Sequence, residues 1–292
     1  MSVAIIGASG FLGSALAAAH ARAGNPVAAY TRSVPFLAPD GRPDQGLEPV
    51  RTVYWLATQI NPQIAEQEPL KVTADRVAFE SFLSAVGRLE ATPTIVLLSS
   101  GGTVYDPAGP PPYGESAPTG PVSAYGRAKL ALEQVLSERA PGEHVTLRVS
   151  NAYGPGQRAA SGQGVVAHWL RAAFRGEDIT VFGAPTTARD YVYVDDVAEA
   201  LVAVHTRDQP LPPVLNIGSG QGTTLKELAE TVLEVVGNPA LELVVTGRRS
   251  FDVPQTWLDV GLADKALGWR PRTSLSEGVA AAWLDVCAEP RC

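Results

Sequence analysis

Three glycines at intervals of three residues lie between an apolar segment and a helix-forming segment near the start of the chain. Residues 3–6 are all apolar, Gly7, Gly10 and Gly13 follow, and residues 11–23 have a helical pattern. Glycines at these points permit a tight strand-to-helix turn, close approach of the backbone to a pyrophosphate and close packing of the helix. The pattern therefore predicts a dinucleotide-binding βαβ unit.

Strand-like and helix-like patterns alternate through the first half of the chain. Apolar runs predict strands at residues 3–6, 27–30, 53–56, 94–99 and 145–149, and helices are predicted at residues 11–23, 74–89 and 124–139. The run at residues 95–98 is continuously apolar, as expected for a strand that helices cover on both faces. This order predicts an α/β fold with a Rossmann-type, doubly wound parallel sheet.

Beyond residue 150 this alternation gives way to loops rich in glycine and proline. Helical patterns occur near residues 165–175 and 197–205, and we expect Asp195 and Asp196 to cap the second of these helices. Thr224 and Glu227 form a capping-box pattern that begins another helix, which ends near residue 236. The change in composition predicts a second, more irregular region.

The overall composition narrows the functional classes. The chain has 292 residues, 45% of them hydrophobic, which is enough for one large or two modest domains. A net charge of -7 without a cluster of Lys and Arg argues against a nucleic-acid surface. The start of the chain has neither a basic leader nor a long apolar stretch, so we expect a cytoplasmic protein without a membrane partner. The cysteines, Cys287 and Cys292, and the four scattered histidines predict neither a disulfide framework nor a metal site.

Tyr125 and Lys129 are four residues apart in a helix-forming segment. Side chains at this spacing share a helix face, so the Lys129 ammonium can lie beneath the Tyr125 phenol. A nearby cation favours the phenolate, which allows the pair to exchange a proton with a sugar or alcohol hydroxyl near neutral pH. The pair thus predicts half of an alcohol dehydrogenation, in which a nicotinamide takes the hydride.

The end of the second predicted strand bears on the choice of nicotinamide cofactor. An acidic residue there commonly accepts hydrogen bonds from the adenosine ribose of NAD, but this strand ends in Tyr30 and is followed by Thr31, Arg32 and Ser33. Arg32 and Ser33 can hold a 2′-phosphate through charge-assisted hydrogen bonds. The cofactor is therefore predicted to be NAD or NADP, with this segment favouring NADP.

With these residues established, the chain resembles the extended short-chain dehydrogenases/reductases, specifically the NAD-dependent epimerase/dehydratase group that includes UDP-glucose 4-epimerase. The resemblance extends over nearly the full length and rests on an ordered series of segments, at residues 7–13, 54–58, 99–105, 125–129, 148–155, 189–196, 216–220 and 251–254. It implies a Rossmann NAD(P)-binding domain at residues 1–150, with segments within about 179–217 returning to it. Residues 151–292 would mainly form a smaller C-terminal domain that binds a nucleoside diphosphate sugar.

The resemblance also implies roles for individual residues. Tyr125 and Lys129 would be catalytic. The cofactor would contact Gly7, Ser9, Gly10, Phe11, Leu12, Gly13, Thr31, Arg32, Ser33, Leu56, Ala57, Thr58, Ser99, Tyr125, Lys129 and Val149. The sugar nucleotide would contact Gly101, Gly102, Asn151, Val165, Val181, Phe182, Arg189, Arg249 and Asp252. The resemblance further implies a homodimer through the helices at residues 78–89 and 124–139.

Some positions depart from the family pattern. The family usually has a catalytic Ser or Thr where this chain has Gly101, so Ser100, or else Thr103, is expected to supply the missing hydroxyl. Asp75 replaces a common Asn, and the segment between Arg32 and Thr52 is too short for the usual helix and strand. We expect a remodelled adenosine pocket.

These observations leave three hypotheses about the function. The first is a nucleotide-sugar oxidoreductase acting at C4, most like UDP-glucose 4-epimerase. The second is an NADPH-dependent 4-ketoreductase of an NDP-4-keto-6-deoxyhexose, which Arg32 and Gly101 favour. The third is a non-catalytic NAD(P)-binding or sensor protein of the same fold, against which the intact Tyr125 and Lys129 argue.

Overall fold

Alternating strands and helices build the first half of the chain in a computed structural model, which describes residues 2–38, 40–48, 50–159, 163–247 and 253–289. The strands are β1 (Ser2–Ile6), β2 (Val27–Tyr30), β3 (Val50–Trp55), β4 (Thr94–Ser100), β5 (His144–Val149), β6 (Asn151–Tyr153), β7 (Ile179–Phe182), β8 (Ala188–Arg189), β9 (Tyr191–Tyr193), β10 (Val214–Ile217), β11 (Thr223–Thr224), β12 (Leu243–Thr246) and β13 (Gln255–Thr256). The helices are α1 (Phe11–Arg22), α2 (Pro62–Gln67), α3 (Pro69–Val86), α4 (Ala124–Arg139), α5 (Val165–Phe174), α6 (Val194–Thr206), α7 (Leu225–Val236), α8 (Gly261–Leu267) and α9 (Leu275–Ala288).

A parallel sheet in the order β10-β5-β4-β3-β1-β2 forms the centre of the fold. Helix α3 packs Phe79 and Phe82 against one face of this sheet, and α4 adds Leu132 and Leu136 to the same core. On the other face, α1 and α6 pack together over a second core. The predicted Rossmann-type doubly wound sheet is confirmed.

Small sheets and the helices α5, α7 and α9 form a second region, whereas α8 packs beside α6 and β10. Strand β8 lies between β11 and β13, β7 pairs with β12, and β6 pairs with β9. Helices α5, α7 and α9 enclose a separate core that includes Leu170, Leu228 and Val279. Because β10 belongs to the large sheet, the chain leaves that sheet after β5 and rejoins it at β10.

Two helix starts differ from the sequence prediction. Helix α3 begins at Pro69 rather than residue 74, because a proline fits the first turn of a helix, where its missing N–H would be unpaired anyway. Helix α6 begins at Val194, so Asp195 and Asp196 lie in its first turn and the capping assignment was wrong. Asp196 instead accepts a hydrogen bond from the Thr273 backbone N–H at 3.0 Å.

The capping box at Thr224 and Glu227 is confirmed in both of its hydrogen bonds, and the helix ends at a left-handed Gly237. Between β2 and β3 the described residues contain a single 3-10 turn, Gln45–Leu47, as the short segment predicted. In that segment Phe36 packs edge-on against Trp55 and Phe82. None of the helices in the described ranges combines the length and apolarity needed to cross a membrane.

Candidate active site

Helix α4 holds Tyr125 and Lys129 beside the carboxyl end of β4. The Ser123 hydroxyl caps the helix by accepting from the Gly126 N–H at 3.1 Å. Lys129 is 8% exposed, and its Nζ lies 5.6 Å from the centre of the Tyr125 ring. The same Nζ donates to the Leu98 carbonyl at 3.4 Å. The ammonium is therefore held next to the phenol at the sheet edge where ligands of such folds bind.

The turn after β1 has room only for glycine at its key positions. A Cβ on Gly7 would lie 2.8 Å from the Ala57 backbone nitrogen, and Gly7 has a φ of +97°. A Cβ on Gly13 would collide with the Gly7 carbonyl oxygen. This close packing brings the N-terminus of α1 against the loop after β3, where Leu56 and Ala57 lie. The turn fits the diphosphate of a dinucleotide, because bare backbone N–H groups at a helix start bind anions.

Asp75 fixes the loop after β3. The buried carboxylate of Asp75 accepts from the Gln59 N–H at 2.8 Å through Oδ1 and from the Thr58 hydroxyl through Oδ2. A carboxylate can accept on both oxygens, whereas the Asn common at this position would present an NH₂ group to one of these two donors. The sequence shows that Asp75 departs from the family pattern, but it does not show which groups donate hydrogen bonds to the carboxylate.

The loop after β2 presents a cation at the expected adenosine end. The Thr31 and Ser33 hydroxyls are 3.0 Å apart, and the Val34 N–H donates to Thr31 at 3.2 Å. Arg32 is exposed between them, and within the described ranges the structure shows no ion pair or hydrogen bond for its guanidinium. An exposed guanidinium on this turn fits a 2′-phosphate, which is consistent with NADP as well as NAD.

Gly101 lacks a side chain for a steric reason. A Cβ on Gly101 would lie 2.5 Å from Cδ1 of Leu258 and 3.0 Å from the Arg148 carbonyl oxygen. Leu258 is itself buried among Val104, Tyr105 and Tyr113. The space that a catalytic Ser or Thr side chain would need is therefore filled by a leucine from the C-terminal region.

The two candidate replacement hydroxyls lie in different places. Successive side chains of a strand point to opposite faces, and the Ser99 hydroxyl donates to Glu133 on α4, so Ser100 points to the face away from α4. The Thr103 backbone lies on the α4 side, since a Cβ on Gly126 would collide with the Thr103 carbonyl oxygen. The Thr103 Oγ1 is enclosed and has no hydrogen-bond partner among the described residues.

The cofactor residues Ser99 and Val149 are buried at the ends of β4 and β5. In contrast, Ser9 and Gly10 are exposed on the turn, where a ligand can reach them. Ser99 and Val149 therefore lie beneath the surface that a ligand can reach. Phe11 and Leu12, at the start of α1, are half-buried.

The predicted sugar-nucleotide residues are distributed over several elements. Asn151 follows β5 and is exposed, and its amide donates to the Asp190 carbonyl at 2.9 Å. A Cβ on Gly102 would lie 3.9 Å from the same amide nitrogen, so the turn after β4 faces Asn151. Arg189 is half-buried at the end of β8, where its Nη1 donates to the Ala188 carbonyl at 2.8 Å.

Phe182 is 55% exposed at the end of β7, whereas Val181 is fully buried and Val165 packs against the same core. The two valines therefore stabilise the region beneath the surface that Phe182 presents. Arg249 and Asp252 lie outside the described residues.

Asp190 links the elements around this surface and was missed as a site residue. Its buried carboxylate accepts from the Ser150 hydroxyl at 2.9 Å, the Ser219 N–H at 2.7 Å and the Leu258 N–H at 3.2 Å. Burial raises the pKa of Asp190, and these hydrogen bonds act in the opposite direction. The carboxylate thus fixes three loops relative to the strand that ends in Arg189.

Comparison with known proteins agrees with this geometry. The model of the NAD dependent epimerase/dehydratase family matches residues 3–218. A dTDP-6-deoxy-L-talose 4-dehydrogenase (NAD(P)(+)) of Kitasatospora kifunensis is 32% identical, with 99% of this chain and 96% of that protein covered.

Two solved structures have the same overall fold. One is the UDP-glucose 4-epimerase of Thermotoga maritima with UDP-glucose, 28% identical with a TM-score of 0.85 over 98% of each chain. The other is the UDP-glucose 4-epimerase of Thermus thermophilus with NAD, 27% identical with a TM-score of 0.84 over 99% of each chain. The chain belongs to the NAD-dependent epimerase/dehydratase family of extended short-chain dehydrogenases/reductases.

Proposed function

We propose that the protein is an NAD(P)-dependent oxidoreductase acting at C4 of a nucleoside diphosphate sugar, most closely as an epimerase of the UDP-glucose 4-epimerase type. The observation that carries this proposal is the buried Lys129 ammonium beside the Tyr125 ring, at the sheet edge that also carries the glycine turn. Similarity to two UDP-glucose 4-epimerases over nearly their full length supports the sugar class.

In this proposal the Lys129 ammonium stabilises the phenolate of Tyr125, which takes the proton of the C4 hydroxyl and so becomes the neutral phenol. The Leu98 carbonyl keeps that ammonium in place through its hydrogen bond. Bound NAD(P) supplies the acceptor and donor of the C4 hydride. In an epimerase the keto sugar rotates, the hydride returns to the other face of C4, and Tyr125 gives the proton back to the same oxygen, so the cofactor is not consumed.

Asn151 and Arg189 are proposed to hold the diphosphate, for which an amide and a guanidinium offer complementary donors. The exposed ring of Phe182 supports a nearby site for the nucleotide base. Arg249 and Asp252 keep their proposed sugar-nucleotide roles, although they lie outside the described residues.

Thr103 is the better candidate for the hydroxyl that Gly101 lacks. Its Oγ1 has no hydrogen-bond partner among the described residues, and its backbone lies against the start of α4, which supports this role. Ser100 instead points to the other face of β4. A buried hydroxyl normally has a hydrogen-bond partner, so a sugar oxygen or a bridging water is the expected partner here. Thr103→Val is expected to lower kcat more than Ser100→Ala does.

A second candidate is an NADPH-dependent 4-ketoreductase of an NDP-4-keto-6-deoxyhexose. The exposed guanidinium of Arg32, which has no partner among the described residues, favours it, because a reductase that draws on NADPH needs a cation for the 2′-phosphate. The near full-length similarity to a dTDP-sugar 4-dehydrogenase also supports it.

The cofactor balance distinguishes these functions. Interconversion of UDP-glucose and UDP-galactose, followed by NMR, without net change in NAD(P)H supports the epimerase. Oxidation of one NADPH for each dTDP-4-keto-6-deoxyglucose consumed supports the ketoreductase. Cofactor binding without turnover of either class of substrate would instead support a non-catalytic NAD(P)-binding or sensor protein. Arg32→Ala is expected to weaken NADPH binding about tenfold or more, with Arg22→Ala on α1 as the control.

A further inference from the structure

A buried ion pair lies one helical turn beyond Lys129. Glu133 on α4 and Arg148 on β5 are both less than 10% exposed, and Nη2 of Arg148 is 2.7 Å from Oε2 of Glu133. The Nε of the same guanidinium donates to Oε1 at 3.2 Å, so the pairing is bidentate. Since Lys129 and Glu133 are four residues apart on one helix, the carboxylate lies on the helix face that carries the ammonium.

The ion pair also contacts the residues on either side of the turn after β4, which faces Asn151. The Ser99 hydroxyl donates to Glu133, and the Arg148 guanidinium carbon lies 4.8 Å from the centre of the Tyr105 ring. Tyr105 then donates to Asn216 at 2.7 Å. The chain of contacts therefore runs from the catalytic helix, beneath the turn that holds Gly101 and Thr103, to the end of β10.

We propose that Glu133 and Arg148 are positioning residues that set the charge balance at Tyr125 and Lys129, with Glu133 cancelling the Arg148 cation beneath the site. Glu133 lies one helical turn from Lys129 and about two turns, or about 12 Å along the helix, from Tyr125. A single buried charge still acts on an ionising group at this distance, because little solvent screens it. Loss of Glu133 leaves an extra cation that favours the Tyr125 phenolate. Loss of Arg148 leaves an extra anion that disfavours it.

Other charged groups line a groove on the outer side of α4 that reaches Lys129. The groups that face the helix are Glu66, Asp75, Arg76 and Glu80, and α4 itself contributes Arg127 and Arg139. Glu80 pairs with both Arg76 and Arg139, and these three side chains are between 27% and 55% exposed. Solvent screens these three groups, and the buried Asp75 is the same in every variant of the ion pair, so the loss of Glu133 or Arg148 dominates the difference between the variants.

The test measures ionisation of Tyr125 without any substrate, so it does not depend on the identity of the sugar, although it rests on the proposed role of Tyr125. Phenolate absorbance near 295 nm is titrated in the wild type, Glu133→Gln, Arg148→Gln and the double variant. Each titration is repeated with Tyr125→Phe added, and the difference isolates one of the eight tyrosines. Circular dichroism at each pH checks that the fold persists.

The midpoint of the Tyr125 signal is expected to fall by about half to one pH unit in Glu133→Gln and to rise similarly in Arg148→Gln. The double variant removes both charges and returns the midpoint close to the wild-type value. Glu143→Gln is the matched control, because Glu143 pairs with Arg207 at the opposite end of β5 and its loss should leave the signal unchanged.

Shifts of the same sign in both single variants, or no shift in either, would overturn the proposal, since a purely structural pair has no reason to act with opposite signs. If neither single variant folds, Glu133→Asp and Arg148→Lys decide the matter. Both keep their charge, so the proposal requires a wild-type midpoint despite a lower melting temperature. A shifted midpoint in either would contradict it.

Discussion

At the scale of single residues, the fit between Gly101 and Leu258 explains why a side chain is missing at position 101. The methyl groups of Leu258 occupy the direction in which a Cβ would project, and the Arg148 carbonyl closes the remaining space. A leucine methyl can move, whereas a strand carbonyl moves little, so relief of the clash is only partial. A hydroxyl restored at position 101 is therefore expected to lower the stability of the protein.

Gly101→Ser is expected to destabilise the protein by about 1–3 kcal/mol through overpacking. In a Leu258→Ala background the same change should cost less, so the two substitutions are non-additive. Urea unfolding of the four combinations measures the coupling. Gly102→Ser is the control, because the nearest atom to its Cβ would be 3.9 Å away, and strict additivity of the Gly101 and Leu258 changes would contradict the steric explanation.

At the scale of secondary-structure elements, buried histidines join α1, β3 and α6. His20 on α1 lies 3.1 Å from the Tyr54 hydroxyl on β3, which donates to the Leu201 carbonyl on α6 at 2.8 Å. The His205 ring on α6 lies edge-on to His20 at 5.5 Å. Burial, together with the charge of His205, lowers the pKa of His20 to about 4.

This shift makes the packing of α1 and α6 sensitive to acid. In the unfolded chain His20 has its ordinary pKa of 6.5, so as pH falls the unfolded state takes up the proton first. The contribution of His20 is complete above about pH 6.5 and is lost between there and about pH 4, a loss of about 3 kcal/mol. Urea unfolding over this range should show a shallower decline in His20→Gln. His144→Gln should keep the wild-type slope, and an equally steep decline in His20→Gln would refute the assignment.

Patterns within one element were predictable from the sequence because their partners are neighbours along the chain. The glycine turn, the alternating strands and the capping box at Thr224 all depend on residues a few positions apart. Contacts between elements were not predictable. Three such contacts depend on which side chains the tertiary packing brings together. They are the ion pair of Glu133 with Arg148, the contact of Leu258 with Gly101, and the hydrogen bond that Asp75 accepts from Thr58.

At the scale of the whole molecule, the outer face of α3 and α4 is the candidate dimer surface. Val77 is 54% exposed and Leu70 is 85% exposed on α3, beside a groove of about 890 Å³ between the helices. We propose that a second copy of the chain covers this face, as the resemblance implies, because exposed apolar side chains beside a groove favour association.

Val77→Asp places a charge in the proposed interface and should convert a dimer to a monomer in analytical ultracentrifugation. Leu284→Asp makes the same change on α9, where Leu284 is 70% exposed, and should leave the dimer intact. A monomeric wild-type protein, or a dimer that only Leu284→Asp dissociates, would exclude this face.

The proton exchange by Tyr125 at sugar C4 is tested most directly with UDP-glucose that carries deuterium at C4. After incubation with NAD or NADP, mass spectrometry and NMR follow the label in the wild type and in Tyr125→Phe. The account predicts that the wild type breaks the C4–deuterium bond, giving the C4 epimer or labelled NAD(P)H, and that Tyr125→Phe slows this by about 100-fold or more while still binding cofactor. An equal rate in Tyr125→Phe would contradict the role of Tyr125. Formation of neither the C4 epimer nor labelled NAD(P)H, with UDP- and dTDP-hexoses alike, would contradict the proposed chemistry.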